Sequence, residues 1–430
     1  YSLKFRQILV DEYQDTNRLQ SEIIDLSTGE DRNLTVVGDD AQSIYSFRGA
    51  DFENILTFPE KYTDAAIFRL TTNYRSTPQI LHLANRIIAN NSRQFRKELH
   101  TALKPGETPS VVPLKDAFEQ AEFVSSVIMD MNTDGGSFDD IAVLYRSHYL
   151  SMELQMEFQR RGIPFEVRSG LKFFEQAHIK DILSFVKVIV NQHDEISWKR
   201  ILKLIPGIGN ITAGKVWNHI HAAEMPVDLI SGASGFIPKK AGEGFNRFLD
   251  VLNTLNSSAG PSGLVPSEAI DFILRNGYED FLYGRYPNAE MRIEDIEQMA
   301  RYSLRYDSME MFLSDLTLDG VTGAEPEGTE EPDGRVVLTT IHQAKGLEWE
   351  AVFIIGLNDG RFPSSKSLKN DEEEEERRLF YVGATRAKES LYLCYPVAAR
   401  EWHSTGFLKP SRFLKELPVD CFEEIRVEDV

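Results

Sequence analysis

Residues 7–15 read QILVDEYQD, an apolar run that ends in two adjacent carboxylates. Ile8, Leu9 and Val10 have the composition and the length of a buried strand. Asp11 and Glu12 follow at the carboxyl end of that strand, where parallel α/β sheets bind their ligands. In nucleotide hydrolases an Asp at this position holds Mg²⁺, and the next acid orients or deprotonates the attacking water. Taken alone, the pair is more simply a strand end followed by a polar turn.

Composition narrows the class of protein. At 430 residues the chain is too long for one core, and about two to four domains are expected. No apolar run approaches the roughly 20 residues that span a bilayer. Cys394 and Cys421 cannot form a disulfide framework or a metal site alone. No signal-type stretch follows Tyr1. We therefore expect a cytoplasmic protein that makes no membrane contact. The net charge of −20 argues against coating nucleic acid through bulk charge, so any DNA contact must be local.

Strand and helix patterns alternate near both ends of the chain. Buried strands are predicted at 8–10, 34–37, 66–68 and 141–144. Helices are predicted from Pro78 and over 152–161, the second ending at Gly162. Strand patterns resume at 335–340, 351–357 and 391–395. This alternation predicts an α/β fold with parallel strands and crossover helices.

The middle of the chain has a different pattern. Residues 179–318 are mainly helical, with Gly-, Ser- and Pro-rich loops at 231–235 and 257–263. A polar stretch at 320–334 has the composition of a flexible linker. The simplest account is an α/β domain interrupted by a helical insertion. The acidic run 371–376 is interpreted as a solvated helix start, since carboxylates favour the positive end of the helix dipole.

A second cluster follows the strand at 34–37 and reads VGDDAQSIYSFRGA over residues 37–50. Within seven residues it offers the Gln42 amide, the rings of Tyr45 and Phe47, and the Arg48 guanidinium. An amide can contact a terminal phosphate, and aromatic rings with an Arg can stack on unpaired bases. The alternative is a loop whose rings only anchor it to the core, which the dense mixture of polar and aromatic residues makes weaker.

Three further clusters carry polar chemistry: NYRST at 73–77, TTIHQAKGLEW at 339–349 and RRLFYVGATRAK at 377–388. Arg75 beside Tyr74 could reach a phosphate while the ring stacks on a base. Helical spacing places Arg386 on the same face as Leu379 and Val382. A partly buried Arg needs an anion, and either a structural carboxylate or a ligand phosphate would serve.

In their order and spacing these five clusters resemble motifs II through VI of superfamily-one helicases of the UvrD, Rep and PcrA kind. The connecting sequence agrees, at 144–147 (LYRS), 162–164 (GIP), 173–175 (FFE), 179–181 (IKD) and 410–414 (PSRFL). The likeness extends from Ile8 to about Pro418 and is weakest between Met225 and Leu318.

The resemblance implies P-loop NTPase (RecA-like) domains with parallel sheets, the second interrupted by the helical insertion, with ATP between them and single-stranded DNA across their top. By that likeness Asp11 would coordinate Mg²⁺, Glu12 would act on the hydrolytic water and Gln42 would sense the γ-phosphate. Arg75 and Arg386 would reach it from the second domain. The expected nucleotide contacts are Tyr74 on the adenine, Glu348 at the ribose, and Gly346.

The resemblance also implies a DNA track, formed by Tyr45, Phe47, Arg48, His342 and Lys345. Phe47 stands where Trp is usual in this family, and its smaller ring is expected to bind DNA more weakly. We expect 3′-to-5′ movement in repair or replication. The expected partners are single-stranded DNA, single-strand/duplex junctions and repair or replication proteins, with the chain a monomer or weak dimer.

Glycines in the insertion have two interpretations. Residues 209–216 nearly fit the phosphate-loop form G-x-x-x-x-G-K-[ST], but Val216 stands where a hydroxyl is required, and the region is helical. The same region resembles a helix-hairpin-helix, in which Gly207 and Gly209 would offer backbone N–H groups to a DNA phosphate. A tight turn that only packs two helices is the alternative.

Since no phosphate loop is found, we expect a fragment that hydrolyses ATP poorly by itself. Two alternatives remain: a catalytically inactive DNA-binding protein, and a module that recruits partners through its helices. The expected segments are 1–72 (remnant of the first RecA-like domain), 73–178 (second domain, first part), 179–318 (helical insertion), 319–334 (linker) and 335–430 (second domain, second part).

Overall fold

The computed structural model describes residues 5–28, 32–168, 173–258, 265–286, 288–318, 334–401 and 404–426. None of the helices in these ranges is long and apolar enough to cross a membrane. Among the described residues the strands are β1 (Ile8–Val10), β2 (Leu34–Val36), β3 (Ser110–Leu114), β4 (Ile141–Tyr145), β5 (Phe165–Val167), β6 (Val336–Thr340), β7 (Trp349–Ile354), β8 (Ala387–Pro396), β9 (Ala398–Glu401), β10 (Ser404–Phe407) and β11 (Glu423–Glu424).

The α-helices of the described residues, in chain order, are α1 (Arg18–Thr28), α2 (Glu53–Leu56), α3 (Phe58–Lys61), α4 (Pro78–Ala89), α5 (Ala117–Thr133), α6 (Met152–Arg161), α7 (Ala177–Val190), α8 (Glu195–Leu202), α9 (Asn210–Ile220), α10 (Pro226–Leu229), α11 (Gly242–Ser258), α12 (Pro266–Ile273), α13 (Glu279–Arg285), α14 (Ala289–Ser303), α15 (Met309–Leu318), α16 (Ile341–Ala344), α17 (Ser365–Lys369), α18 (Glu373–Ala384) and α19 (Arg412–Lys415). The helices predicted from Pro78 and over 152–161 are therefore confirmed, and Gly162 ends α6 in the left-handed conformation that favours glycine.

Seven strands form one parallel sheet in the order β11-β3-β8-β7-β4-β6-β5. The central strand β4 pairs with β6 on one side and β7 on the other, although more than 180 residues separate it from both. The two chain segments that flank the helical region therefore interleave in a single sheet. Together with the helices on its faces, this confirms the predicted α/β fold with a parallel sheet.

Alternating side chains on β4 build a core on each face of the sheet. Ala142 and Leu144 cluster with apolar residues of α4 and α18. Ile141, Val143 and Tyr145 cluster with apolar residues of α5 and α6. Because successive strand residues point to opposite faces, a wholly apolar strand is what burial between two helix layers requires.

The helical region between β5 and β6 confirms the predicted insertion. Helices α7 to α15 pack around their own apolar core, which also includes Met152 and Met156 of α6. The predicted loop at 231–235 is a run of 3-10 turns, Ile230–Phe236. Most of the predicted loop at 257–263 and nearly all of the predicted linker at 320–334 lie outside the described residues.

The chain before Asn73 forms a small unit of its own. Strands β1 and β2 pair in parallel as a two-stranded sheet. The strand predicted at 66–68 is wrong, because these residues form no ladder and Phe68 is 87% exposed. An apolar triplet becomes a strand only where a neighbouring strand accepts its hydrogen bonds. The pairing near this triplet is the single bridge from Thr72 to His100.

Helix α18 begins in the predicted acidic run, and Asp371 and Glu372 are exposed as predicted, but the prediction that the run is solvated is wrong for Glu376. Glu376 is buried and accepts hydrogen bonds from Arg146 Nε at 2.9 Å and Ser367 Oγ at 2.9 Å. Glu374 accepts from both the backbone N–H and the hydroxyl of Ser92 at 2.7 Å. The first turn of α18 is therefore packed against three other parts of the chain, which its charge pattern alone could not indicate.

Candidate active site

Two carboxylates follow β1 at the carboxyl end of the strand. Asp11 and Glu12 are both exposed, and the Glu12 N–H donates to Asp11 Oδ1 at 2.8 Å. Glu12 has a φ of 51°, a strained value for a residue with a side chain. Gln14 Nε2 donates to Glu12 Oε2 at 2.6 Å and so fixes that carboxylate. Adjacent, solvent-accessible carboxylates are a donor set that fits Mg²⁺.

Lys345, at the end of α16, contacts the segment that carries these carboxylates. Its Nζ lies 2.5 Å from Asp15 Oδ2, 3.4 Å from Glu12 Oε2 and 2.9 Å from the backbone oxygen of Gln42. Its side chain is only 8% exposed. Burial raises the pKa of Asp15, and the hydrogen bond from Lys345 opposes that rise. Lys345, a candidate for the DNA track, is thus engaged with two acids in this conformation.

The other DNA-track candidates come together from two segments almost 300 residues apart. Tyr45 Oη donates to the backbone oxygen of His342 at 2.9 Å. The ring of Phe47 meets the His342 ring edge-on, with centroids 5.3 Å apart. Arg48 lies 5.3 Å from the centroid of the Tyr45 ring and 5.5 Å from that of Phe47. Phe47 is 65% exposed, so the cluster presents an aromatic and cationic surface to solvent.

Gln42 lies in the same loop, where its Nε2 donates to Asp39 Oδ2 at 2.9 Å. Asp39 also forms an ion pair with Lys97 and accepts from Ala41 N at 3.0 Å. Sequence reasoning did not single out Asp39, Lys97 or Asp15. The two Asp residues stand inside the quoted motifs, but nothing near Lys97 in the sequence signals its partner.

Arg386 is a buried cation whose hydrogen-bond partners are all neutral. It is 2% exposed, and it donates to Val382 O at 2.9 Å, Leu347 O at 3.1 Å and Thr385 Oγ1 at 3.1 Å. Among the residues the structure describes, no carboxylate forms an ion pair with it. Burial and the nearby charge of Arg75 lower the pKa of Arg386 to about 10, so it stays protonated at neutral pH. A charge buried in this way is costly unless an anion compensates it.

Arg75 and Glu348 stand next to Arg386. Arg75 Nε donates to Glu348 Oε2 at 2.5 Å, and Arg75 Nη1 donates to the Thr385 backbone oxygen at 3.3 Å. Lys388 Nζ lies 3.7 Å from Glu348 Oε1. The hydrogen bond from Arg75 holds the pKa of Glu348 below its usual value. The two other predicted nucleotide contacts are nearby in sequence: the ring of Tyr74 is exposed, and Gly346 has a φ of 86°.

The Gly-rich segment of the insertion is a turn between two helices. Residues between α8 and α9 form the turn, with Gly207 at a φ of 94° and Gly209 at the N-cap of α9. Because a side chain would strain the backbone at this positive φ, the position of Gly207 favours glycine. Gly214 and Lys215 lie inside α9, which confirms that this stretch is not a phosphate loop.

Comparison with known proteins identifies what this arrangement resembles. Residues 68–397 match a family model described as the UvrD-like helicase C-terminal domain, and residues 1–63 match the UvrD/REP helicase N-terminal domain. DNA helicase II of Haemophilus influenzae is 35% identical over 441 residues, covering 99% of this chain and 60% of the relative. ATP-dependent DNA helicase PcrA of Staphylococcus aureus is 35% identical over 439 residues, covering 98% of this chain and 59% of the relative.

The chain thus spans about three fifths of the length of these relatives. Among solved structures, a chain described as the C-terminal domain of a possible DNA helicase from a Lactobacillus, strain WCFS1, aligns with 82% of this chain and 98% of its own length at 12% identity. Its TM-score of 0.32 is too low to bear on the fold.

The His342 side chain yields a prediction on pH and stability. Burial, with smaller contributions from Arg146 and Arg48, lowers the pKa of His342 to about 3. The unfolded chain takes up a proton near pH 6.5 that the folded chain does not bind until about pH 3. The free energy of unfolding should therefore fall as pH drops from 6.5, by up to about 1.4 kcal/mol per pH unit from this residue.

Urea unfolding of wild type and His342→Asn between pH 7.5 and 5 tests this. The variant keeps the backbone oxygen that Tyr45 contacts but cannot titrate, so its unfolding free energy should vary less with pH below 6.5. If the unfolding free energies of the two proteins varied with pH in the same way, His342 would titrate alike in the folded and unfolded chains, which would contradict the prediction.

Proposed function

Because this chain belongs to the UvrD-like helicase family, we propose that it is part of a motor that couples ATP hydrolysis to 3′-to-5′ movement along single-stranded DNA. The observation that carries the proposal is the buried Arg386, which has neutral partners and no carboxylate among the described residues. A buried cation of this kind is suited to an anionic substrate, and the phosphate groups of a nucleoside triphosphate supply the negative charge. We propose that the motor acts in repair or replication.

Nucleotide binding would rearrange the ion pairs beside Arg386. Glu348 forms an ion pair with Arg75. When phosphate oxygens engage Arg75 and Arg386, the Glu348 carboxylate is released and can accept a hydrogen bond from the ribose. The exposed Tyr74 ring is free to stack on the adenine. Both arginines lie on the second α/β unit, so they would complete the site from across the cleft.

The opposite side of the cleft would supply the hydrolytic groups. Asp11 and Glu12 fit a divalent cation and an attacking water, and we assign Asp11 to the cation and Glu12 to the water. When bound, Mg²⁺ neutralises phosphate charge. Gln42, which Asp39 holds through its side-chain amide, would contact the terminal phosphate. Glu12 is already fixed by Gln14, so it needs little reorganisation to act.

Lys345 would couple the two ligands. It contacts Glu12 and Asp15 and lies 5.2 Å from the centroid of the Tyr45 ring. DNA that stacks on this ring and on Phe47 would bring a phosphate near Lys345 and weaken its hold on the acids. Glu12 would then be freer to act on water when DNA is bound. A contact of this kind would couple DNA binding to ATP hydrolysis in the motor through one side chain.

The segment boundaries follow from the same proposal. We assign 1–72 to the first RecA-like domain, 73–178 with 335–430 to the second, 179–318 to an insertion and 319–334 to a linker. The hairpin with Gly207 and Gly209 would contact duplex DNA at a junction. We also propose that residues 1–430 alone do not hydrolyse ATP, since no stretch among them has the form G-x-x-x-x-G-K-[ST].

The DNA track yields a prediction on binding. Phe47→Ala should weaken binding of a fluorescent oligothymidine by about tenfold, because one base–aromatic stack contributes about 1–3 kcal/mol. Phe47→Trp should tighten it, since the larger ring covers more of a base. Fluorescence anisotropy measures both.

The matched control is Phe407→Ala, a 91% exposed Phe on β10 that the proposal gives no role. Equal losses of oligothymidine affinity in Phe47→Ala and Phe407→Ala would show that Phe47 is not part of a DNA-binding surface.

The catalytic assignment yields a prediction on turnover. The purified 430-residue chain should bind oligothymidine but release no phosphate from ATP, with or without DNA. Phosphate release is measured for wild type and Glu12→Gln. DNA-stimulated release that Glu12→Gln abolishes would contradict the proposed inactivity while supporting the role of Glu12.

A further inference from the structure

A second cluster of chemically active side chains lies apart from the residues assigned above. It comprises His82, on α4, and Asp420 and Cys421, in the 3-10 turn Val419–Cys421. The imidazole nitrogen, carboxylate oxygen and sulfur all lie within 4.8 Å of one another. We propose that these three side chains bind a transition-metal dication of the zinc class.

The geometry of the cluster suits tetrahedral coordination. Ligand atoms bound at about 2.0–2.3 Å to a tetrahedral zinc lie about 3.3–3.6 Å from one another. His82 Nε2 and Asp420 Oδ2 are 3.3 Å apart, which is long for a strong hydrogen bond but matches that ligand separation. The Cys421 sulfur lies within 4.8 Å of both other ligand atoms, so it must approach them by at most about 1.2 Å to reach that separation. Three protein ligands leave the fourth position for water.

The donor types select the metal. A thiolate with an imidazole and one carboxylate suits zinc and its neighbours in the first transition series, whereas Mg²⁺ prefers oxygen donors and retains water. The two cysteines of the chain are too few to form a site alone, but His82 and Asp420 supply the missing ligands to Cys421. Deprotonated Cys421 and Asp420 would carry two negative charges, which balance the dication.

The position of the site suggests a structural role. Helix α4 begins three residues after Arg75, and the turn with Asp420 and Cys421 leads directly into β11. Strand β11 has only two residues and lies at the edge of the seven-stranded sheet, paired with β3 alone. A metal held by His82, Asp420 and Cys421 would fasten this short edge strand to the helix that follows Arg75. A ligand that binds only the folded chain also raises its stability.

Cobalt titration of the full 430-residue chain tests the proposal. In metal-free buffer with excess Mg²⁺, Co²⁺ should produce a thiolate-to-metal charge-transfer band that saturates at one equivalent, and Zn²⁺ should abolish it. Cys421→Ser should lose the band, whereas Cys394→Ser should keep it, because Cys394 is buried in β8 outside the cluster.

Two variants at accessible positions keep the test decisive if Cys421→Ser does not fold. His82→Gln and Asp420→Asn should each weaken Co²⁺ binding by at least about tenfold. The matched control His193→Gln, at an exposed histidine outside the cluster, should leave it unchanged. Absence of the band in wild type, or its persistence in Cys421→Ser, would overturn the proposal.

Discussion

All seven strands of the large sheet run in one direction, and β4 lies between β6 and β7, which come from far along the chain. This constraint fixes much of the remaining architecture. The chain must leave the sheet after β5 and return at β6, so the helices between them form a separate insertion with its own core. It also brings the carboxyl ends of β4 and β6 to one edge, where His342 meets Tyr45 and Phe47 of the segment before Asn73.

Two ion pairs and a hydrogen bond across that edge join the two units. Lys345 bonds to Asp15, Lys97 pairs with Asp39, and Arg378 donates to the Ser43 backbone oxygen at 2.9 Å. Each cation comes from the second unit, and each acceptor comes from the first. Arg386 differs from Lys345 and Lys97 because its partners are all neutral oxygens. The paired cations hold the two units together, whereas the buried Arg386 has no carboxylate partner among the described residues.

Patterns within one segment could be predicted from the sequence, whereas contacts between distant segments could not. Apolar runs and helical spacing correctly predicted the strand at 141–144 and the helix from Pro78, because burial on a sheet face or helix face leaves a local period. The triplet at 66–68 has the same composition but no partner strand. Glu376 stands in an acidic run, yet it is buried and accepts a hydrogen bond from Arg146, which lies 230 residues away in the sequence.

The candidate site divides in the same way. The sequence motifs identified Glu12, Gln42 and Arg386 as candidate site residues, and the structure shows which groups they bond to. The Lys97 pair with Asp39 and the grouping of His82 with Cys421 depend on tertiary packing, which no local pattern encodes.

We propose that residues 41–50 and 339–347 form one surface for single-stranded DNA. Amide hydrogen exchange of the chain, with and without saturating oligothymidine, measures whether both segments are protected. We expect DNA to slow exchange in both segments together, and more than in the 203–216 hairpin. Slowed exchange confined to the hairpin, with both segments unchanged, would contradict it.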